Sequence, residues 1–431
     1  MQHAICVTTA FVFCDKNKQR PQLATYRYSR ESQLPPDDLG SLTQLNTTSI
    51  LRHINATRCL RLLNRSGPLS RSDISRELNL TRTTVGHAIK VLLDSELAWE
   101  PTGLTEASRV GRPSVGVTLN PSGAYFVGLD ISTSSLTAVL IDFSMTVRAR
   151  FVVPIAPDFH DVDAVMDQLA DLTKKAIQAA GKDRKRVQGI GLSVPGLVGR
   201  DGHVAIAPLL SWRNVDLRAS LAIRLATELD IGVCNDAVAL ASAVCSTASE
   251  VETREMLLIL MSEGIGSALV RQGRVVDGFN GYAGEIGQMV MAPTLVDNKP
   301  QTFQLLAGYR IFLPFLAPKL PIADAILRLA TDPNEPAGFA EALNCWAETL
   351  AVGFLNAVRM LDPERIVLGG VLAALYPRVA FRVEEILSRE LAGLPFAGIQ
   401  VTQYGAEGAA IGAAAMMRES LFDLPELAEQ K

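Results

Sequence analysis

Residues 125–143 read YFVGLDISTSSLTAVLIDF, in which two apolar runs are joined by a Ser/Thr turn. The runs, Tyr125–Ile131 and Leu136–Phe143, have the pattern of paired strands, so the sequence predicts a β-hairpin. The segment MLLILMSEGIGSALV at residues 256–270 repeats this theme. Two lobes that each begin with such a hairpin predict an internally duplicated fold.

Predicted strands and helices alternate in the rest of the body. An amphipathic helix over residues 161–180 ends at Gly181, VQGIGLSVPG is a strand followed by a turn, and residues 216–229 form another helix. The segment IVLGG at residues 366–370 adds a strand to the second lobe. This order predicts an α/β body with two lobes, an ATPase fold of the actin and hexokinase type, which is ribonuclease H-like.

The segment IGVCNDA places a polar pair, Asn235 and Asp236, at the end of a predicted strand. Ligands of α/β sheets bind at the carboxyl ends of strands, so both side chains are candidate ligand contacts. The alternative is that the pair only caps the helix beginning at Ala237, which is the commoner role of such residues.

Ahead of the body, PLSRSDISRELNLTRTTVGHAIKVLL at residues 68–93 has the pattern of two short helices. Ser70 and Asp73 form a capping box at the start of the first helix, and Thr81 caps the second. An earlier helix over residues 48–66 is expected to pack inward through Leu51, Ile54, Leu62 and Leu63. Three helices in this order predict a helix-turn-helix.

The last of these helices turns a polar face outward. The residues that we expect to contact DNA there are Thr81, Arg82, Thr83, Thr84, Gly86, His87 and Lys90. Extended runs at 97–100 and 115–119 flank a GRP turn, which contributes Arg112, and they predict a β-wing. The sequence therefore predicts a winged helix-turn-helix, with a three-helix interaction domain carrying solvated basic faces as the alternative.

Charge favours the DNA-binding interpretation. Between Arg52 and Lys90 there are eight Lys or Arg residues and two acids, whereas the whole chain has a net charge of −4. Basic charge is thus concentrated where a phosphate backbone would need it, and the acidic remainder does not favour unspecific binding to nucleic acid.

Length and composition bound the organisation of the chain. With 431 residues, 48% of them hydrophobic, it can form a flexible extension at 1–46, a winged domain at 47–120, a body at 121–420 and a tail at 421–431. No apolar run approaches the roughly 18 residues of a membrane span. The first residues lack the basic segment and cleavage site of a secretory signal, so a cytoplasmic location is expected.

Metal and disulfide chemistry are not expected. Six cysteines are scattered without a CxxC pair, and none of the five histidines has metal-ligand spacing with another His or Cys. This distribution argues against a zinc site and a disulfide framework. We therefore expect no cofactor.

Four motifs together resemble successive signatures of the ROK family, which groups sugar-responsive repressors with sugar kinases. They are GIGLSVPGLVGRDG (189–202), NDAVALA (235–241), SEGIGSALVRQGRVVDGFNGYAGEIGQMV (262–290) and PERIVLGGVL (363–372). The resemblance extends over residues 48–418, and the front helices with their GRP wing are similar to the regulator branch.

The chain departs from the kinases of this family at both phosphate-binding turns. Where the kinases have a glycine-rich DxGGT turn, Asp130 is followed here by ISTSS. Their second turn is GTGIG, whereas residues 262–266 read SEGIG, so Glu263 would face a polyphosphate. A carboxylate there opposes ATP binding. The resemblance thus implies lost catalysis, although the family's general base is retained as Asp236.

The family's zinc and sugar contacts are also altered. Gln288 replaces the histidine of the GEIGH motif, and residues 292–310 contain no cysteine, so the resemblance implies no structural zinc. The sugar contacts of the family carry over to Asn235, Asp236, Glu285, Gln288 and Gln304. Glu285 could instead be a solvated acid in a Gly-rich turn. Amides still hydrogen-bond hydroxyls, so a polyol pocket with a shifted preference is expected.

The sequence therefore predicts a regulator, expected to be a repressor, that binds operator DNA through its front domain and a sugar or sugar derivative between its lobes. A homodimer is expected because two-fold operators require paired DNA-binding domains. The alternatives are an active sugar kinase with a DNA-binding module and a regulator whose body senses a protein partner.

Overall fold

The computed structural model describes residues 8–14, 21–27, 47–101, 116–247, 254–296, 299–317 and 320–423. Near the start of the chain, β1 (Thr8–Cys14) pairs antiparallel with β2 (Pro21–Arg27). The sequence analysis did not predict these two strands. Its division of the chain into four segments remains a prediction.

Three helices and a short ribbon form the front domain. The elements are α1 (Thr47–Ser66), α2 (Arg71–Leu78), α3 (Arg82–Asp94), β3 (Ala98–Trp99) and β4 (Thr118–Leu119). The two strands pair antiparallel, and a bridge joins Leu69 to Val117. The GRP turn and Arg112 lie outside the described residues.

Capping explains where the front helices begin. The Ser70 hydroxyl accepts a hydrogen bond from Asp73 N at 3.1 Å and donates one to the Asp73 carboxylate at 2.6 Å. Thr81 caps α3 in the same manner, accepting from Thr84 N at 3.2 Å. The chain turns between these helices at Asn79, whose φ of 51° is left-handed. These start points are confirmed.

The prediction that Leu51 faces inward is wrong, because this side chain is 52% exposed. The buried stripe of α1 consists of Ala56, Cys59, Leu60 and Leu63. Leu51 lies nine positions before Leu60, and at about 100° per residue that separation places it on the opposite side of the helix.

The first lobe is built on a five-stranded sheet. Its strands are β5 (Tyr125–Ile131), β6 (Ser135–Asp142), β7 (Val147–Pro154), β8 (Val187–Val194) and β12 (Asp230–Asn235). They lie side by side in the order β12-β8-β5-β6-β7. A small sheet contains β9 (Leu197–Val198), β10 (Val204–Ala207) and β11 (Trp212–Val215). The helices are α4 (Val162–Ala179), α5 (Leu217–Leu225) and α6 (Asp236–Thr247). The predicted hairpin is confirmed as β5 and β6.

The second lobe repeats this topology in the order β19-β18-β13-β14-β15. Its strands are β13 (Glu255–Met261), β14 (Ile265–Arg271), β15 (Arg274–Val275), β18 (Arg365–Gly369) and β19 (Ile399–Val401). A separate hairpin, β16 (Val290–Val296) with β17 (Lys299–Thr302), precedes α7 (Phe303–Ala307). Further helices are α8 (Ile322–Thr331), α9 (Phe339–Leu361), α10 (Ala380–Leu391) and α11 (Gly408–Glu419). The matching pairing of both sheets confirms the predicted duplication.

The helix predicted over residues 216–229 is shorter than expected. It ends at Leu225, because Ala226 adopts a left-handed conformation with φ of 46° and its N–H bonds back to the last turn. A left-handed residue commonly terminates a helix.

Two helices lie face to face between the sheets. Helix α6 packs on the second-lobe sheet through Ala237, Leu240 and Ala241, whereas Ala410 and Ala414 of α11 pack against the first-lobe sheet. Where α11 meets β5, β8 and α6, the backbones approach so closely that a Cβ atom would not fit at Gly128, Gly191 or Gly412. The two helices are therefore packed in direct backbone contact.

Among the described residues, no helix combines the length and apolarity needed to cross a membrane.

Candidate functional site

A cavity of about 500 Å³ opens between the two lobes. Its wall contains the carboxyl end of β12, the start of α6 and the turns that follow β5 and β13. All five predicted ligand-binding residues line it: Asn235, Asp236, Glu285, Gln288 and Gln304. The structure thus brings together side chains that are up to 69 positions apart in sequence, counted from Asn235 to Gln304.

Asn235 and Asp236 both serve as caps of α6. Asn235 Oδ1 accepts from Ala237 N at 2.8 Å, and its Nδ2 donates to Gly196 O at 3.0 Å. Asp236 Oδ1 also accepts from Ala237 N, at 2.9 Å. The capping alternative from the sequence is therefore present. It is compatible with ligand binding, since both residues also line the cavity.

Three carboxyl groups that line the cavity are close enough for their charges to interact: Asp130, which is buried, and the partly exposed Asp236 and Glu285. Burial raises the pKa of Asp130 to about 6, against the hydrogen bond that the Ser193 hydroxyl donates to it. Burial also raises the pKa of Asp236 to about 7, with further contributions from the charges of Asp130 and Glu285. The pKa of Glu285 is raised by burial alone.

The two turns that line the far side of the cavity contact each other. The Thr133 hydroxyl, in the turn after β5, donates to the carboxylate of Glu263 in the turn after β13. Burial raises the pKa of Glu263, an effect that this hydrogen bond opposes. Gln304 Oε1 accepts from Ile265 N at 3.2 Å and so supports the second turn. The lobes are thereby bridged by side chains of the chain itself.

The raised carboxyl pKa values predict a pH effect on stability. A group whose pKa is higher in the folded than in the unfolded protein stabilises the fold below its unfolded pKa, and this contribution is lost as pH rises through the folded pKa. For Asp236 the window runs from about 4 to about 7. Between pH 5 and pH 8, the unmodified protein should lose more of its free energy of unfolding than Asp236→Asn does. We expect this difference to be about 1–3 kcal/mol.

Calorimetric melting at both pH values measures this effect. Asp171→Asn removes an exposed carboxylate and is the control. Equal pH dependence in Asp236→Asn and in the unmodified protein would contradict the prediction.

The polar face of α3 is available on the surface of the front domain. Five of the residues expected to contact DNA there are exposed: Thr81, Arg82, Thr83, His87 and Lys90. The other two, Thr84 and Gly86, are half-buried. A Cβ atom added to Gly86 would meet nothing within 4 Å. No packing requirement therefore explains a glycine inside this helix.

Part of the basic charge in the front domain holds the protein together. Arg58 donates to Leu78 O at 3.0 Å, and Arg61 donates to Phe422 O. Arg71 forms an ion pair with Glu100 at 2.7 Å. The local basic excess found in the sequence thus overstates the charge that remains for an outside partner.

A buried arginine joins the front domain to the end of α11. Arg418 is 2% exposed and donates through Nε to Phe143 O at 2.8 Å and through Nη2 to Asn64 Oδ1 in α1. Its guanidinium lies 5.4 Å from the Phe143 ring centre and 4.8 Å from that of Phe422. We call this cluster the Arg418 junction. Sequence analysis missed it.

A second contact ties the front domain to the first lobe. Arg186 forms an ion pair with Glu96 at 2.6 Å and donates to Ser122 O at 2.8 Å. Leu421 and Phe422, which the sequence analysis assigned to a tail, are buried in the apolar cluster shared by the front domain and first lobe. The front domain is thus docked onto the body.

The family model described as the ROK family matches residues 126–302 and 319–420. The chain belongs to the ROK family. This ROK protein is 24% identical over 340 residues to the xylose repressor of Bacillus subtilis, a match that covers 77% of this chain and 85% of that one. It is also 24% identical over 255 residues to the DNA-binding transcriptional dual regulator NagC of Escherichia coli, covering 59% and 61% of the two chains.

Solved structures show the same fold. A ROK family transcriptional regulator described as a homologue of the Escherichia coli MLC protein has a TM-score of 0.70 and 23% identity, covering 86% of this chain and 97% of its own. A ROK family glucokinase from Streptomyces griseus, solved with glucose and AMPPNP, has a TM-score of 0.57 and 19% identity and covers 69% and 100%.

Within the described part of the chain, no group of three or more His, Cys, Asp or Glu residues has a geometry that could hold a metal ion.

Proposed function

We propose that this ROK protein is a DNA-binding transcriptional regulator, a repressor, that responds to a sugar or sugar derivative bound between its lobes. One observation carries the proposal: a single helix, α11, begins beside the cleft cavity and ends in the Arg418 junction with the front domain. The chain thus has a candidate ligand site in the cleft, a candidate DNA-binding surface on α3, and a continuous path of contacts between the cleft and the front domain.

The front domain, residues 47–120, is proposed to be a winged helix-turn-helix that places α3 in the major groove of operator DNA. The exposed Arg82 and Lys90 supply base-edge and phosphate contacts from this helix. A helical glycine costs about 1 kcal/mol relative to alanine. Because Gly86 has open space around it, close approach of a DNA backbone explains its presence.

The cleft cavity of the body, residues 121–420, is proposed to hold the sugar. Asp236 and Glu285 offer carboxylate acceptors, and Asn235, Gln288 and Gln304 offer amides, all of which hydrogen-bond hydroxyl groups. Similar proteins include a xylose repressor of Bacillus subtilis and an N-acetylglucosamine repressor of Escherichia coli, which supports a carbohydrate ligand.

The proposed mechanism is a shift between two populations of lobe arrangements. Ligand contacts at Asp236 act on α6 at its first residue, and α6 is packed backbone to backbone on α11. A change in lobe closure therefore moves α11 and, through Arg418, the first helix of the front domain. In a homodimer this would reorient two DNA-binding domains relative to a two-fold operator.

An active sugar kinase is the second candidate, because Asp236 has a pKa of about 7, which suits a general base. Against it, Glu263 and Thr133 occupy the turns that would have to receive a polyphosphate. We propose that the chain transfers no phosphate. An ADP-release assay with ATP, Mg²⁺ and a panel of sugars tests this, and sugar-dependent release would establish the kinase.

The cleft residues should be needed for the ligand response and dispensable for DNA binding. We expect Asp236→Ala and Glu285→Ala each to reduce at least tenfold the effect of sugar on operator affinity, while affinity without sugar changes less than threefold. The reason is that both carboxyls line the cavity, whereas no residue of α3 does.

Fluorescence anisotropy at fixed salt, with operator DNA selected from a random pool by the unmodified protein, measures both quantities. The control is Glu228→Ala, an exposed acid that does not line the cavity. A normal sugar response in both cleft variants would show that the ligand site lies elsewhere.

A further inference from the structure

The charge of the cleft cavity is unbalanced. Four acids line it, Asp130, Asp236, Glu263 and Glu285, and the lining residues, all within the described part of the chain, include no Lys, Arg or His. The remaining polar groups of the wall are hydroxyls, amides and backbone. Such a wall accepts hydrogen bonds from donors and offers no cation to an anionic group.

The imbalance extends over both halves of the cavity. From the first lobe, Asp130 and Asp236 line it, and from the second lobe, Glu263 and Glu285. Burial raises the pKa of Asp236 and of Glu285, and the Thr133 hydroxyl donates to the carboxylate of Glu263. Both lobes therefore contribute acids to the wall, and neither contributes a cation among the lining residues.

We propose that the cavity takes a polyhydroxylated ligand that carries no negative charge, and that Glu263 is the residue that excludes phosphorylated and acidic analogues. This inference rests on the proposed function, since it concerns the ligand of the same site. Free sugars and amino sugars fit the wall, because hydroxyl and ammonium groups donate to carboxylates. Sugar phosphates, sugar acids and nucleotides do not.

The position of Glu263 makes it the determinant. Its carboxylate accepts a hydrogen bond from the Thr133 hydroxyl, a neutral donor that leaves the charge uncompensated. Burial raises its pKa, as expected for a carboxyl without a cationic partner. The backbone of the same turn is supported by Gln304, whose Oε1 accepts from Ile265 N at 3.2 Å.

Isothermal titration of the full chain with matched pairs tests the inference. The probes are D-glucose with glucose 6-phosphate and D-glucuronate, and N-acetyl-D-glucosamine with its 6-phosphate; D-xylose and D-glucosamine extend the uncharged and cationic sets. We expect at least one uncharged or amine-bearing sugar to bind. Its anionic analogue should bind at least tenfold more weakly.

The isosteric variant Glu263→Gln separates the role of the charge from the shape of the site. The ratio of the dissociation constants of the anionic and parent sugars should fall at least threefold in this variant. It should stay unchanged in Glu228→Gln, which removes one acid outside the cavity. Circular dichroism melting verifies that both variants fold, and the ratio measured in the unmodified protein tests the inference without any variant.

The outcomes distinguish this inference from the proposed function. A phosphorylated sugar or sugar acid that binds as tightly as its parent overturns the inference and leaves a sugar sensor in place. An unchanged ratio in Glu263→Gln removes Glu263 as the determinant. Binding of none of the probes overturns the sugar sensor itself.

Discussion

Replacement of Arg82 by alanine should weaken binding to the selected operator by about 1–3 kcal/mol, which is about fivefold to 150-fold in the dissociation constant. Arg82 is the first residue of α3, follows the capping Thr81 and is exposed. The N-terminal residues of such a helix are the ones that reach base edges in a major groove. The fold should be unaffected, because the side chain is not part of the front-domain core.

Anisotropy titrations with operator DNA and with a scrambled duplex of equal length measure this loss. The loss should be larger on the operator than on the scrambled duplex, since an arginine that reads bases contributes to specificity and to charge. Arg328→Ala removes the same charge from the exposed surface of α8 and is the control. An operator affinity unchanged by Arg82→Ala would contradict the assignment of α3 as the recognition helix.

The front helices could be located from the sequence because their signals are local. The hydroxyl of Ser70 and the N–H of Asp73 are three residues apart, as are Thr81 and Thr84. A cap of this kind depends only on the chain next to it. The wrong prediction for Leu51 shows what local signals do not contain. Which side of α1 is buried depends on where the other elements pack.

The candidate ligand site could be anticipated in part. Asn235 and Asp236 follow a buried strand, and their position at its end is a property of the α/β pattern. The contact between Thr133 and Glu263 joins residues 130 positions apart, so no local pattern reports it. The sequence indicated that the charge of Glu263 opposes phosphate binding. Only the fold shows that its carboxylate joins the two lobes through the hydrogen bond from Thr133.

The connection between the lobes and the front domain was not predictable from local pattern. Arg418 and Asn64 are 354 residues apart, and one arginine at the end of a helix is normally exposed. The run of small residues in α11, GAAIGAAAM at 408–416, is a signal that could have been used. Small residues permit backbones to approach closely, as they do here at Gly412.

The Arg418 junction should be needed for ligand response. We expect Asn64→Ala to reduce the effect of sugar on operator affinity at least fivefold, with a stability loss of about 1–3 kcal/mol. This variant removes the partner in α1 and leaves the bonds of Arg418 to Phe143 O and Glu419 intact. Because it leaves one donor of a buried guanidinium without its partner, the stability loss can reach about 3 kcal/mol. Coupling of allosteric sites is typically about 1–3 kcal/mol, so a fivefold loss removes most of a weak coupling.

Substitution of Arg418 itself should have the larger effect. Arg418→Ala leaves Phe143 O and Asn64 without their buried donor and opens a cavity beside the stacked rings of Phe143 and Phe422, so a loss of about 2–4 kcal/mol in the free energy of unfolding is expected. Arg418→Met fills much of the volume without donating a hydrogen bond. It should recover part of the stability while leaving the sugar response as weak as in Arg418→Ala.

The Met variant separates coupling from stability, since a purely structural role for Arg418 predicts that stability and sugar response recover together. Thermal melting gives the stability, and anisotropy titrations with and without sugar give the coupling. Asn344→Ala, an exposed position on α9, is the control for Asn64→Ala. A full sugar response in both Asn64→Ala and Arg418→Met would show that the signal reaches the DNA-binding surface by another route. The ion pair between Arg186 and Glu96 and the hydrogen bond from Arg61 to Phe422 O are two described contacts that could provide it.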